Sequence, residues 1–412
     1  MGRINKFISE IVGGRYNVAT WIAFGLFLYL ILYFSYKGIT TSPATPGHDI
    51  DSIVYHIPIA QSIASRNLFP PTLPHGLGYY PAIGEAILAI FVFLGIPLNL
   101  FNLLALFILF ILCKLLSQSF GLSNTYSTVF AISVVTLNSV TRLANNQTID
   151  IWLAIFFLFS LYLLQIPSKS ISYFLKLGIT MGLLIGVKYS GILFAGILIV
   201  FYFRKIVKNM NFAKFLSFSI PILILGLSWY IRNYAIIGNP IFPGSVFGLQ
   251  KHPDFIVQNW YPITSILQNP SFITTFLLAL VSEYLIWSVT LFIPLGIIFL
   301  ERLKRIIFDN NIKQIALIGL SNFGVYLFIP SNPGAVLSDA RYLFPAIIPL
   351  ILTAFLLAQK YKRMNELIIV ALLSSYSIIA QLEYRPKLAF VWLTLISILL
   401  INSNSLKLRL KL

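Results

Sequence analysis

The chain has 412 residues, of which 58% are hydrophobic and only 10% are charged, and its formal net charge is +17. A mean hydropathy of +0.87 indicates a polytopic membrane protein. Attraction to anionic lipid headgroups explains the positive charge better than binding to nucleic acid does. No P-loop, GxGxxG turn, CxxC pair or HExxH motif occurs, so nucleotide hydrolysis, redox chemistry and thermolysin-like zinc chemistry are not expected.

The apolar runs predict an all-α fold with about 12 transmembrane helices and both termini on one side. The predicted crossings are 19–36, 97–116, 125–141, 150–166, 172–187, 189–203, 213–230, 276–300, 314–330, 342–358, 366–382 and 388–402.

The distribution of charge predicts the orientation of these crossings. Most of the 29 Lys and Arg residues fall on the side of the termini, and positively charged loops stay in the cytoplasm. Most of the 12 carboxylates and all 4 histidines fall on the other side. We therefore expect a multi-pass protein of the cell membrane whose chemistry faces the extracytoplasmic side.

The first outer loop, 37–96, contains two predicted helices that do not cross. Apolar residues recur at helical spacing from Asp51 to Arg66, which predicts an amphipathic helix on the membrane surface. Residues 81–95 are apolar but shorter than the ~20 residues that a crossing needs. If they crossed, the later basic loops would become external, so we interpret them as a half-membrane helix that walls a cavity. The second long outer loop is 231–275.

Several motifs occur in the order found in one group of membrane enzymes. GHDIDSIVYHIPIAQSIASRN (47–67) opens the first outer loop, followed by YYPAIGEAILAI (79–90), RLANNQTIDIWLAIFFLFSLYLL (142–164) and GLLIGVKYSGIL (182–193). SWYIRNYAIIGNPIFP (228–243) and ARYLFPAIIPL (340–350) complete the set. Together they resemble the GT-C fold membrane glycosyltransferases that use a sugar linked to a polyprenyl phosphate. The group, which is glycosyltransferase family 39-like, includes protein mannosyltransferases and the aminoarabinose transferase of lipid A.

The resemblance implies a catalytic transmembrane module at 1–350, followed at 351–412 by C-terminal crossings and a short basic tail. It implies transfer of a sugar from a polyprenyl-phosphate lipid to a cell-envelope glycan, lipid or protein, with inversion at the anomeric carbon. Asp51-Ser52 stands where the mannosyltransferases have a paired Asp-Glu, so protein O-mannosylation is not supported.

Asp51 is the predicted general base, because it stands at the family-like position four residues before Tyr55 and because an ionisable residue at membrane depth is usually functional. Its alternative role is to cap the surface helix, and capping is the favoured role of Asp49.

Two further carboxylates have open roles. Asp150 and Glu85 could each bind a divalent cation such as Mg²⁺ or Mn²⁺ or contact the sugar, and Asp49 is a weaker candidate for the cation. Either Asp150 or Glu85 could instead form a buried structural ion pair with Arg142 or Lys188.

The departing phosphate requires positive charge. Lys188, Arg232 and Arg341 each stand at the outer end of a predicted crossing and could supply it, although snorkelling to lipid headgroups is the alternative. Tyr55 and His56 are predicted to contact the substrate, and the alternative for His56 is a structural hydrogen bond to a carboxylate. Aromatic residues could stack on the sugar or form an interfacial belt. These are Tyr79, Tyr80, Trp229, Trp260 and Tyr261.

Two other functions would leave different patterns in the sequence. A secondary transporter or flippase would have charges in the middle of its crossings and repeated halves, and the sequence has neither pattern. An O-antigen polymerase or ligase would carry its key Arg and His residues in a large late outer loop, here 231–275.

Overall fold

A computed structural model describes residues 18–41, 50–67, 69–167, 170–208, 210–244, 249, 261–303, 307–329 and 339–382. Within these ranges all regular elements are helical, which confirms the predicted all-α class. The α-helices are α1 (Val18–Thr40), α2 (Ile57–Ala64), α3 (Ile83–Leu94), α4 (Phe101–Ser119), α5 (Asn124–Val135), α6 (Asn138–Thr141), α7 (Asp150–Gln165), α8 (Ile171–Val187), α9 (Tyr189–Lys208), α10 (Phe212–Pro221), α11 (Ser228–Ile237), α12 (Pro262–Gln268), α13 (Phe272–Tyr284), α14 (Ile293–Arg302), α15 (Asn310–Leu327), α16 (Phe344–Lys360) and α17 (Met364–Leu382).

Six helical stretches of the described residues are long and apolar enough to cross a bilayer. They are Val18–Thr40, Leu98–Ser119, Tyr189–Lys208, Phe212–Ile237, Phe272–Arg302 and Ala340–Lys360. Shorter apolar helices, including α7, α8 and α17, pack among them. The crossing predicted at 388–402 lies outside the described residues.

Two predicted crossings are interrupted. The run at 125–141 divides into α5 and α6 at Thr136, whose hydroxyl donates to the carbonyl of Ile132. The run at 276–300 contains a 3-10 segment, Leu285–Phe292, between α13 and α14. There the hydroxyls of Ser288 and Thr290 donate to carbonyls three residues earlier, which suits the tighter helix.

The first outer loop contains the two short helices that the sequence predicts. A π-helical turn, Ser52–His56, leads into α2. The α3 helix has 12 residues, so it spans about 18 Å and is too short for a hydrocarbon core of about 30 Å. It ends at Gly95, which has a φ of 66°. The two helices pack against each other at the end of the bundle where α7 begins.

Helix α8 lies against the stretch 212–227 in direct backbone contact. Three glycines four residues apart, Gly178, Gly182 and Gly186, form the contacting face of α8. A Cβ atom at any of them would lie within 3.0 Å of a carbonyl oxygen on the facing segment. These oxygens belong to Phe218, Pro221 and Leu225. The contact fixes the position of Lys188, which directly follows α8.

Candidate active site

Asp51 stands at the start of the π-helical turn, at the junction of the first outer loop with the segment before α7. The next residue, Ser52, is buried, and its hydroxyl oxygen accepts a hydrogen bond of 3.0 Å from the backbone N–H of Gln147. The Asp51 side chain makes no capping hydrogen bond, and it is 34% exposed. The capping alternative is therefore not observed, and the carboxylate is partly accessible to solvent.

Arg341 joins two predicted carboxylates. Its guanidinium donates to Oδ2 of Asp51, and its Nε lies 3.2 Å from Oδ2 of Asp150. The second contact is an ion pair without hydrogen-bond alignment. Arg341 is almost fully buried at the start of the stretch 340–360. Asp51 and Asp150, which are distant in sequence, therefore share one cation.

Asp150 is only 2% exposed, and each of its oxygens faces a cation. Its Oδ1 accepts a hydrogen bond of 2.8 Å from Nζ of Lys188. Lys188 is the residue between α8 and α9, and its backbone is extended. The Lys188 ammonium also lies 3.9 Å from the ring centroid of Tyr342, a cation–π distance. We call Asp51, Asp150, Lys188 and Arg341 the four-charge cluster.

His56 and Glu85 form a second buried pair beside this cluster. The Nδ1 atom of His56 lies 2.7 Å from Oε1 of Glu85, in the first turn of α3. Both side chains are almost completely inaccessible to solvent. The pair joins the π-helical turn of the first outer loop to α3.

Tyrosine rings line the same region. Tyr55 contacts Tyr80 edge to face, and Tyr80 contacts Tyr189 in the same way. Burial raises the pKa of Tyr55 well above its usual value, and the Asp51 carboxylate raises it further. Burial likewise raises the pKa of Tyr80. Both phenols therefore stay protonated, and neither can act as a base.

Arg232 lies apart from the four-charge cluster. Its guanidinium donates to the backbone carbonyl of Tyr79 at 3.1 Å and stacks over the ring of Trp229. The same carbonyl accepts hydrogen bonds from Asn233 and from the hydroxyl of Tyr189. Among the described residues Arg232 has no carboxylate partner.

A cavity of roughly 310 Å³ opens next to Arg232, between α2 and α11. Its walls are mostly apolar, and Ser62, Asn67 and Ser228 add polar groups. The apolar wall residues are Ile59, Ile63, Phe69, Pro71, Ala82 and Trp229.

The structure thus brings together most of the predicted site residues. Asp51, Asp150, Lys188 and Arg341 are in direct contact, with Tyr55, His56 and Glu85 beside them. The structural alternative for Asp150, pairing with Lys188, is also observed. Glu85 pairs with neither Arg142 nor Lys188, and Arg142 pairs instead with Glu283. Asp49 and Trp260 lie outside the described residues.

Two features of this site were not predicted from the sequence. Tyr342, which lies against both Lys188 and Arg341, was indicated only by its position next to Arg341. The second is an amide network in which Gln147 donates to Asn99 and Asn102 donates to the carbonyls of Leu143 and Thr148. The polar run 145–148 inside an apolar stretch was its sequence signal.

The described carboxylates do not suit a divalent cation. Hard cations require several oxygens that can turn toward one point. Both oxygens of Asp150 face protein cations, one oxygen of Asp51 is bound to Arg341, and Glu85 is bound to His56. Among the described residues no group of three or more potential ligand side chains occurs. We derive no step through a metal.

Comparison with known proteins identifies the fold of this chain through two solved structures. No protein-family model matches the chain, and no curated protein matches it. Two crystal structures of ArnT from Cupriavidus metallidurans are similar, each at 14% identity. The apo structure has a TM-score of 0.51, with 86% of this chain and 64% of that chain covered. The structure bound to undecaprenyl phosphate has a TM-score of 0.54, with 96% and 73% covered. The predicted GT-C-type fold is confirmed, and this chain spans less than two thirds of the apo ArnT chain.

Proposed function

We propose that this protein is a membrane glycosyltransferase. It transfers a sugar from a polyprenyl-phosphate donor to a cell-envelope glycan, lipid or protein on the extracytoplasmic face. The observation that carries the proposal is the four-charge cluster, in which one half-exposed carboxylate stands beside buried cations. The fold shared with ArnT, one structure of which holds undecaprenyl phosphate, supports a lipid-linked donor.

Asp51 is the general base of the proposed reaction. Its Oδ2 is bound to Arg341, whereas its Oδ1 has no hydrogen bond to another described residue and can accept a proton. The acceptor hydroxyl loses its proton to Asp51 while its oxygen attacks the anomeric carbon of the sugar. The bond between that carbon and the phosphate oxygen breaks, and the electron pair leaves with the polyprenyl phosphate. General-base assistance of this kind contributes roughly 10²–10⁴-fold to a rate.

The carboxylates favour inversion at the anomeric carbon. A retaining reaction needs a second carboxylate that attacks the sugar and forms a covalent intermediate. Asp150 is the nearest described candidate, but it is buried and both its oxygens face cations. A single displacement assisted by Asp51 requires no second nucleophile.

The leaving phosphate is stabilised by the basic residues around the cluster. Lys188 and Arg341 lie next to Asp51 and Asp150, and Arg232 lines the apolar cavity between α2 and α11. A phosphate with an attached isoprenoid chain needs both positive charge and an apolar wall, and the Arg232 cavity offers both.

The test is the Asp51→Asn variant, which keeps the shape of the side chain and removes the base. We expect transfer to fall by at least about 100-fold, with folding retained. The assay uses purified protein in proteoliposomes with lipid-linked sugars extracted from the source membranes. Mass spectrometry of envelope glycans after gene deletion identifies the product.

Glu301→Gln is the control, because Glu301 pairs with Lys313 at the opposite end of the bundle. This variant should transfer sugar at the normal rate. An Asp51→Asn protein that folds and retains full transfer activity would refute the proposed role of Asp51.

A further inference from the structure

The buried pair of His56 and Glu85 has no part in the chemistry described above. Glu85 is fully buried, and its Oε1 contacts His56 Nδ1 at 2.7 Å. Its second oxygen, Oε2, has no partner among the described residues. Burying a carboxylate is costly unless a cation or several hydrogen bonds compensate it. The pair therefore needs an explanation.

The pair lies where three segments of the site meet. The first is the π-helical turn after Asp51, the second is the start of α3, and the third is the segment before Asp150. Ser52 and Gln147 connect the first segment to the third. Gly84 packs so closely on Ile149 that a Cβ atom would collide, which connects the second to the third. The contact between His56 and Glu85 connects the first to the second.

The three contacts form a closed triangle between the segments that carry Asp51 and Asp150. Moving the backbone that carries Asp51 relative to the backbone that carries Asp150 strains at least one of these contacts. Neither His56 nor Glu85 touches the four-charge cluster through a hydrogen bond among the described residues. Their location is therefore that of supporting residues behind the reacting groups.

The surroundings support a charged form of the pair. His56 Nδ1 is the only hydrogen-bond partner of the Glu85 carboxylate among the described residues, so an imidazolium there compensates the buried charge directly. The first turn of α3 also favours a negative charge on Glu85. With an imidazolium at His56, three cations balance the three carboxylates Asp51, Glu85 and Asp150.

We infer that His56 and Glu85 form a buried imidazolium–carboxylate pair that positions Asp51 and Asp150 on either side of Arg341. The pair does not contact the substrate, so His56 takes the role of structural partner, which was the alternative predicted from the sequence, and Glu85 is not the sugar ligand that the sequence suggested. They are positioning residues, and the inference rests on the proposed function for the reaction that they support.

The first test is the kinetics of Glu85→Gln, which keeps the size of the side chain and removes its charge. We expect kcat to fall by about tenfold or more, because small displacements of reacting groups have large effects on rates. The KM for the lipid-linked donor and the binding of undecaprenyl phosphate, measured by native mass spectrometry, should stay the same. Normal kcat, or loss of lipid binding by a folded variant, would each refute the positioning role.

Glu283→Gln is the matched control. Glu283 is equally buried and pairs with Arg142, outside the triangle of contacts. Its substitution should lower the thermal stability and leave kcat unchanged. An equal fall of kcat in this control would mean that loss of any buried acid slows the reaction, which contradicts the inference.

The second test measures the protonation state of the pair and requires no catalytic turnover. Its result is therefore informative even if the protein has no transferase activity. At neutral pH the infrared spectrum of Glu85→Gln should lack one band of an ionised carboxylate that the wild-type spectrum contains. Loss of a protonated-carboxyl band would overturn the ion pair.

A third measurement covers the case in which Glu85→Gln does not fold. The double variant His56→Gln with Glu85→Gln should unfold at a higher temperature than His56→Gln alone, because no buried carboxylate is then left without its cation. A double variant that is no more stable than His56→Gln would contradict the inference.

Discussion

Ion pairs occur at both ends of the helical bundle, and the two sets differ in burial and in sequence separation. At the end with the first outer loop, Asp150 is 2% exposed and Glu85 is fully buried, and their partners come from other helices or loops. At the opposite end, Arg363 and Glu366 are 74% and 58% exposed and stand three residues apart. Lys313 pairs there with Glu301 across one short connection.

The difference has an energetic meaning. Exposed pairs contribute little to stability, because water competes for both partners. Buried pairs require the removal of water from both charges, so apolar residues would often stabilise the same position better. Among the described residues the buried pairs of Asp150 and Glu85 lie together at one end, which chemistry there explains more readily than stability does. The following predictions test this contrast, beginning with the largest expected effect.

Removing Arg341 should have the largest effect, because it leaves Asp51 and Asp150 without their shared cation. We expect Arg341→Ala to lose about 3–5 kcal/mol of stability and all measurable transfer activity. Arg341→Lys should fold but transfer roughly 100-fold more slowly, because one ammonium cannot replace the planar contact with two carboxylates. Thermal unfolding and the proteoliposome assay measure both effects. If Arg341→Ala had the stability and the transfer rate of the wild type, the buried pairs at this end would not differ in importance from the exposed pairs at the other end.

Arg232→Gln should have an intermediate effect of a different kind. Arg232 has no carboxylate partner among the described residues, so its loss leaves no buried acid unpaired, and thermal stability should change little. We expect KM for the lipid-linked donor to rise by about tenfold while kcat stays within about threefold, as for a lost phosphate contact. A normal KM would exclude the Arg232 cavity as the site of the donor phosphate.

Arg363→Gln should have the smallest effect. Its partner Glu366 is exposed on the same helix turn, so neither residue becomes a buried unpaired charge. We expect no measurable change in unfolding temperature, donor KM or kcat. A loss of activity comparable with that of Arg232→Gln would show that both ends of the bundle contribute to the reaction.

Much of the fold and of the site could be predicted from the sequence. The length of apolar runs predicted the all-α class and the short helix α3, because bilayer thickness limits what can cross. The helical spacing of apolar residues predicted α2. Counting the crossings put Asp51, Asp150, Lys188 and Arg341 at one end of the bundle, and they are in contact there. Topology alone was sufficient for that step, whatever the function.

Most of the pairing within the site could not be predicted, although a pair of Asp150 with Lys188 was one of the alternatives. A one-dimensional pattern gives the end of the bundle at which a residue lies, but not its distance from others in the plane of the membrane. The sharing of Arg341 by two carboxylates and the contact of His56 with Glu85 depend on those lateral distances. The 3-10 segment inside 272–302 was also hidden, since its residues are as apolar as those of a regular crossing.

The glycine face of α8 has a consequence for the geometry of the four-charge cluster. The backbones of α8 and the 212–227 stretch are in direct contact at Gly178, Gly182 and Gly186, so no flexible side chain lies there that could absorb a shift of one segment against the other. Lys188 is thereby held at a fixed position beside Asp150. A larger residue at any of these glycines would therefore disturb the cluster from a distance, by moving Lys188 relative to Asp150.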